Sequence, residues 1–230
     1  MALRPVPFPP PYPSAGATRM MENVRSKVLG VSVLTAQAEL FSVERDFCDF
    51  TNVWQEDIDV PVVVGTTTYQ ISPALLPPIP PAVTPTMPNG KIKRLLNFYN
   101  STDPQKQYVG NPTMRIPGVL VLAQPPTADA LMVATVAKVP VDPTDAQDMP
   151  IIDDWIMETY YDAFQNGLLG RLHLSVSKPY FNKDAGAFHW KLYNKARNEA
   201  RVDVEHANLK GAQAWRFPQS FAASRPQRGV

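Results

Sequence analysis

The sequence predicts an α+β fold: a bundle of about three main helices, an antiparallel β block inserted into it, and extended N- and C-terminal arms. Three observations predict it. The 25 prolines of the 230 residues are clustered, two long stretches are almost free of them, and β-branched runs lie between those stretches. Proline removes a backbone donor and fixes φ, so the clusters mark looped or extended chain and the gaps mark helices. Six prolines fall in the first 13 residues, seven between Pro73 and Pro88, and eight between Pro104 and Pro150. Residues 14–60 have none, and only Pro179 interrupts residues 151–217. The division that follows is a proline-rich arm over 1–27, a helical bundle from 28–55 and 150–208, an inserted β domain over 56–149 and an extended tail over 209–230.

In the first gap Leu29, Val33, Leu40, Val43, Phe47, Phe50 and Trp54 recur at helical spacing, with acids between them. The spacing predicts an amphipathic helix from Ser32, as N-cap, to Asn52. IDVPVVVGTTTYQIS has a turn at Gly65-Thr66 between two β-branched runs and reads as a hairpin. KIKRLLNFYN, then GVLVLAQPPTADALMVATVAKV, add three strands, for about five in the block. PIIDDWIMETYYDAFQNGLLGRLHLSV opens a second helical segment with Pro150 near N1 and early acids suited to the helix dipole. Its apolar stripe is Ile152, Trp155, Ile156, Tyr160, Phe164, Leu168 and Leu172. A long polar helix follows from Asp184, with Phe188, Tyr193, Ala196, Ala200 and Val204 on one side.

Composition excludes several function classes. Charged residues are 19%, below the usual level of about 25%. No apolar run approaches the roughly 18 residues of a membrane span. MALRPVPFPPPYPSAG has no apolar core of about 7–15 residues, so no export signal is expected. The single cysteine, Cys48, cannot form an internal disulfide and reads as a small hydrophobe on the first helix. His173, His189 and His206 lack ligand spacing, and His189 and His206 stand too far apart on one helix to share a metal. There is no dinucleotide or P-loop glycine motif. The acid pairs Glu56/Asp57 and Asp153/Asp154 suit helix termini and surfaces better than a glycosidase. Neither an enzyme nor a cofactor is expected.

Charge is segregated. Glu39–Asp59 carries a local balance of −6, Asp142–Glu158 another −6, and Lys183–Val230 carries +5, within a net charge of +1. Segregation of this kind suits either solvated faces or head-to-tail contact, an acidic face of one copy meeting a basic face of the next. The tails also suit contact. RPVPFPPPYP has polyproline II composition, and GAQAWRFPQSFAASRPQRGV carries Trp215, Arg216, Phe217 and Phe221 without enough sequence for a core. Aromatic residues and arginines are the usual interface anchors.

The run FCDFTNVWQEDIDVPVVVGTTTYQIS, a helix leading through Trp54 into β sequence, resembles bacteriophage head-to-tail adaptor proteins of short-tailed phages. AFQNGLLGRLHLSVSKPYFN, the long basic helix and GAQAWRFP resemble the same family, so that residues 28–218 are covered. The proline-rich N-terminus and the 73–88 segment fall outside that pattern. The resemblance implies a virion protein at the head-tail junction, assembled in the host cytoplasm, in a ring commonly of twelve copies beneath the portal protein. Such a ring extends the DNA channel and supports nozzle or fibre proteins. Its implied interface residues are Trp54, Lys191, Lys195, Arg197, Arg201, Trp215, Arg216, Phe217 and Phe221, with the acidic helix facing the neighbour's basic helix and the C-terminal tail on the portal. Passing double-stranded DNA would be touched only non-specifically, through phosphates. Two alternatives compete: another virion component, such as a nozzle subunit or capsid decoration protein, and a tail enzyme acting through Asp153, Asp154 or Glu158.

Overall fold

A computed structural model describes residues 15–73, 90–102, 109, 111–141 and 152–208. These form a mixed α+β structure of five helices and two small antiparallel sheets. Pro150 and the expectations for residues 1–14, 74–89, 142–151 and 209–230 lie outside the described residues.

The chain enters through α1 (Ala15–Lys27), turns at Gly30 and continues into α2 (Val33–Thr51). Residues 15–27 are helical and not, as the sequence predicts, part of an extended arm. Beyond the last N-terminal proline, Ala17, Met20, Met21 and Val24 repeat at steps of three and four, and all four are buried. An apolar face of that kind is stable only as a helix against the core. α2 is bounded as its sequence predicts. The Ser32 hydroxyl accepts the Thr35 N–H at 3.1 Å, and Asn52 closes the helix in the left-handed region at φ 54°. Leu40, Val43, Phe47 and Trp54 are fully buried, but Leu29 is 81% exposed and Val33 is exposed, so the apolar stripe is shorter than its spacing suggests.

Among the described residues the β block has six strands: β1 (Gln55–Val62), β2 (Thr68–Gln70), β3 (Lys91–Asn100), β4 (Thr113–Ile116), β5 (Val119–Val121) and β6 (Ala130–Val139). One sheet has the order β1-β6-β3 and the other β2-β5-β4. The expected hairpin does not form. Gly65, at φ 78°, does turn the chain, and the Tyr69 hydroxyl lies 3.1 Å and 2.7 Å from the Val63 and Thr66 carbonyls. The turn nevertheless carries the chain from one sheet to the other. β1 pairs along its whole length with β6, from Gln55 opposite Ala137 to Val62 opposite Ala130. β6 is the most continuously apolar strand, and a strand buried on both faces takes the central place with neighbours on either side. β4, between Pro112 and Pro117, is too short to leave an alternating signature in the sequence.

The second helical segment breaks at Tyr160 into α3 (Asp154–Thr159) and α4 (Tyr161–Leu174). Most of its predicted stripe is buried or partly buried, but Trp155 is exposed. α5 (Lys183–Asn208) packs along α4 and reaches α2. Phe47 lies 4.8 Å from Phe164 and 6.3 Å from Tyr193, so α2, α4 and α5 meet around one aromatic cluster. Phe188, expected on the packed side of α5, is 59% exposed. The helices share one core and the two sheets enclose a second, smaller one.

Candidate interaction surface

Folding brings the opposite charges of the sequence together within one subunit. Asp46 on α2 accepts hydrogen bonds from Arg197 and, at 2.8 Å, from the Tyr193 hydroxyl, both on α5. Glu39 on α2 lies 3.6 Å from Arg171 on α4, and Asp49 pairs with Lys93 on β3. Glu56 lies 3.1 Å from Lys138 on β6, and Asp57 accepts from Thr135 and Tyr99. Burial, with Asp46 adding to it, pushes the Tyr193 phenol well above its usual range, so it stays a donor. The acid-rich α2 was expected to face the basic helix of a neighbouring copy; it faces the basic helix of its own chain.

The residues assigned to an interface separate into four groups. Trp54 is fully enclosed, which corrects its assignment. Its indole N–H donates to Asp153 Oδ2 at 2.9 Å, and Lys138 Nζ stands 4.6 Å from the ring centroid. A Cβ on Gly90 would lie 2.9 Å from the ring, and Gly90 has φ 79°, so both space and backbone require glycine there. Arg197 is held in the subunit by Asp46 and stacks over Phe50 at 4.2 Å. Lys191, Lys195 and Arg201 are exposed on α5, where Lys195 and Arg201 make pairs one turn along with Glu199 and Glu205. Trp215, Arg216, Phe217 and Phe221 lie outside the described residues.

Two exposed apolar surfaces were not legible in the sequence. One is at an end of the helical part, where the α1–α2 turn meets the α4–α5 connection: a Cβ on Gly30 would lie 3.8 Å from Pro179. Leu29, Leu34, Val176 and Phe181 are exposed on these two segments. The other runs along α5, where Phe188, Leu192 and Val202 face outward.

Titratable groups within the helical part are mostly structural. Cys48 is buried, and burial, followed by the charges of Glu44, Asp153 and Asp49, raises its thiol pKa far above the ordinary value. Glu44 is fully buried and neither carboxyl oxygen has a hydrogen-bond partner among the described residues; burial holds its pKa well above 4.5, which favours the protonated carboxyl. His173 and His189 stack with ring centroids 6.2 Å apart. His173 Nδ1 donates to the Tyr180 carbonyl at 3.0 Å, and His189 Nδ1 lies 2.8 Å from Asn166 Oδ1. Desolvation, with smaller contributions from His173 and Lys27, lowers the His189 pKa below 6.5. Among the described residues no group of three or more His, Cys, Asp or Glu side chains could hold a metal ion, and no helix is long and apolar enough to cross a membrane.

A scan of the chain against protein-family models matched none, and a search of curated proteins found no relative.

Proposed function

We propose that the protein is a structural subunit of a bacteriophage particle, a head-to-tail adaptor whose copies form a ring that joins the portal to the tail and extends the DNA channel. In this reading a bundle of about three main helices forms the ring wall, the β block faces the next tail component, and extended arms reach neighbouring proteins. The observation that carries it is the packing together of the two sequence runs that resemble that family. α2, which ends just before Trp54, lies against the α4–α5 pair through Phe47, Phe164 and Tyr193, with the β block leading directly out of Trp54.

The charge pairing within the subunit changes how neighbouring copies would meet. With Asp46, Glu39 and Asp49 already paired internally, the ring contact falls to surfaces without such partners. Leu29, Leu34, Val176 and Phe181, exposed on two segments that approach each other at Gly30 and Pro179, are the strongest of these, because exposed apolar surface marks contact sites. In the same reading the 209–230 tail lies on the portal, anchored by Trp215, Arg216 and Phe217. Incubating portal rings with the intact chain and with a chain ending at residue 210 tests this. The intact chain is expected to co-sediment with portal and the truncated one to remain free; equal binding of the two would overturn the role of the tail.

A further inference from the structure

The outward face of α5 has a pattern that its inward face does not explain. Phe188, Leu192, Lys195, Glu199, Val202 and His206 recur at alternating steps of four and three and are all exposed. This is the spacing of a coiled-coil seam. The buried side of the same helix is formed by Tyr193 and Ala200, with Arg197 turned toward Asp46. The seam therefore lies opposite the face already in use.

Its order is self-complementary. Leu192 and Val202 are equally far along the chain from Arg197, and so are Lys195 and Glu199, and Phe188 and His206. Turning a second α5 end for end about that point sets Leu192 against Val202, Lys195 against Glu199, and Phe188 against His206. An antiparallel helix pair matches its two kinds of seam position in this way. On one flank Lys191 comes near Glu205, another opposite pair. A parallel pair would instead set Lys195 against Lys195 and Glu199 against Glu199. Lys195 and Glu199 lie 3.7 Å apart within one helix, so two such pairs facing each other make a square of alternating charge.

We infer that α5 is a two-fold contact, through which two copies of this chain pair by antiparallel packing of their α5 helices. The inference does not rest on the adaptor reading. A contact of this symmetry closes after two copies and cannot by itself propagate a ring. Two apolar layers around a charged centre make a small interface, which places the pair among weak, reversible complexes.

Sedimentation of the full chain tests the charges, and disulfide trapping tests the register. Lys195→Glu or Glu199→Lys alone brings like charges together at two symmetric places and is expected to weaken dimerisation about tenfold. The double exchange is expected to restore it. Leu192→Cys and Val202→Cys variants, mixed and mildly oxidised, are expected to cross-link to each other and not each to itself; Cys48 does not compete because it is fully buried. Unchanged association in the single charge variants, no recovery in the double, or no mixed disulfide would overturn the inference. Self-cross-linking of Leu192→Cys in place of the mixed product would overturn it too.

Discussion

At Trp54 one indole is touched by Asp153 at the start of α3, Lys138 on β6 and Gly90 before β3, while its own segment joins α2 to β1. It links the helical part to the β block. Trp54→Phe keeps most of the packing but leaves the Asp153 carboxylate without its donor, which is expected to cost about 1–2 kcal/mol in urea unfolding. Glu44 gives a second, pH-dependent prediction. Its folded pKa is raised, so between 4.5 and that pKa the unfolded chain is ionised while the fold keeps its proton. Stability contributed by this group is fully present below 4.5 and falls as pH rises, by about 1.4 kcal/mol per unit across that window. Glu44→Gln removes the dependence, so the variant is expected to become the more stable protein as pH is raised from 4 toward 7. Parallel curves for the two proteins would contradict the burial of an unpaired carboxyl. Neither role was visible in the sequence, where Trp54 looked like an interface aromatic and Glu44 like one of several surface acids. Burial in a tertiary structure depends on which helices converge, and spacing along one helix does not report it.

α4 brings α2 and α5 together because it carries glycine at the contact. A Cβ on Gly167 would lie 2.6 Å from Val43 Cγ1 and 2.9 Å from the Tyr193 ring, both buried. Gly167→Ala is therefore expected to lower stability by about 1–3 kcal/mol, although alanine is the better helix former by about 1 kcal/mol. A rise in melting temperature would show that the helices can separate at no cost. At this scale the sequence was most legible. α2 keeps its predicted cap residues, and α4 and α5 lie where the proline-free stretch placed them. The failures have local causes. α1 is masked in the sequence by the prolines that precede it, which give residues 1–27 the composition of an extended arm. The hairpin at Gly65 was over-read because a turn between two β-branched runs fixes the turn and not the partners, and β6, far along the chain, offered β1 a longer apolar ladder than β2 could.

For the whole molecule, the separation of charge along the sequence becomes pairing across the fold. An acidic segment near one end and a basic segment near the other read as complementary faces of different copies. Asp46 with Arg197, and Glu39 with Arg171, place the complementarity inside one subunit. The exposed apolar groups that remain are Leu29, Leu34, Val176 and Phe181 on the two turns, and Phe188, Leu192 and Val202 along α5. In the proposed ring, contact between copies depends on burying the apolar groups of the two turns, so the ring should tolerate salt far better than a contact built from exposed ion pairs. Leu29→Asp with Phe181→Asp is expected to abolish ring formation while leaving the far-ultraviolet circular dichroism unchanged. The central claim is that copies of this chain assemble on a portal. Native mass spectrometry of portal rings incubated with the full chain tests it most directly. The account predicts a closed complement of added copies, twelve on a twelve-fold portal, with no partly filled species dominating; portal rings whose mass is unchanged, or which carry a scattered few copies, would contradict it.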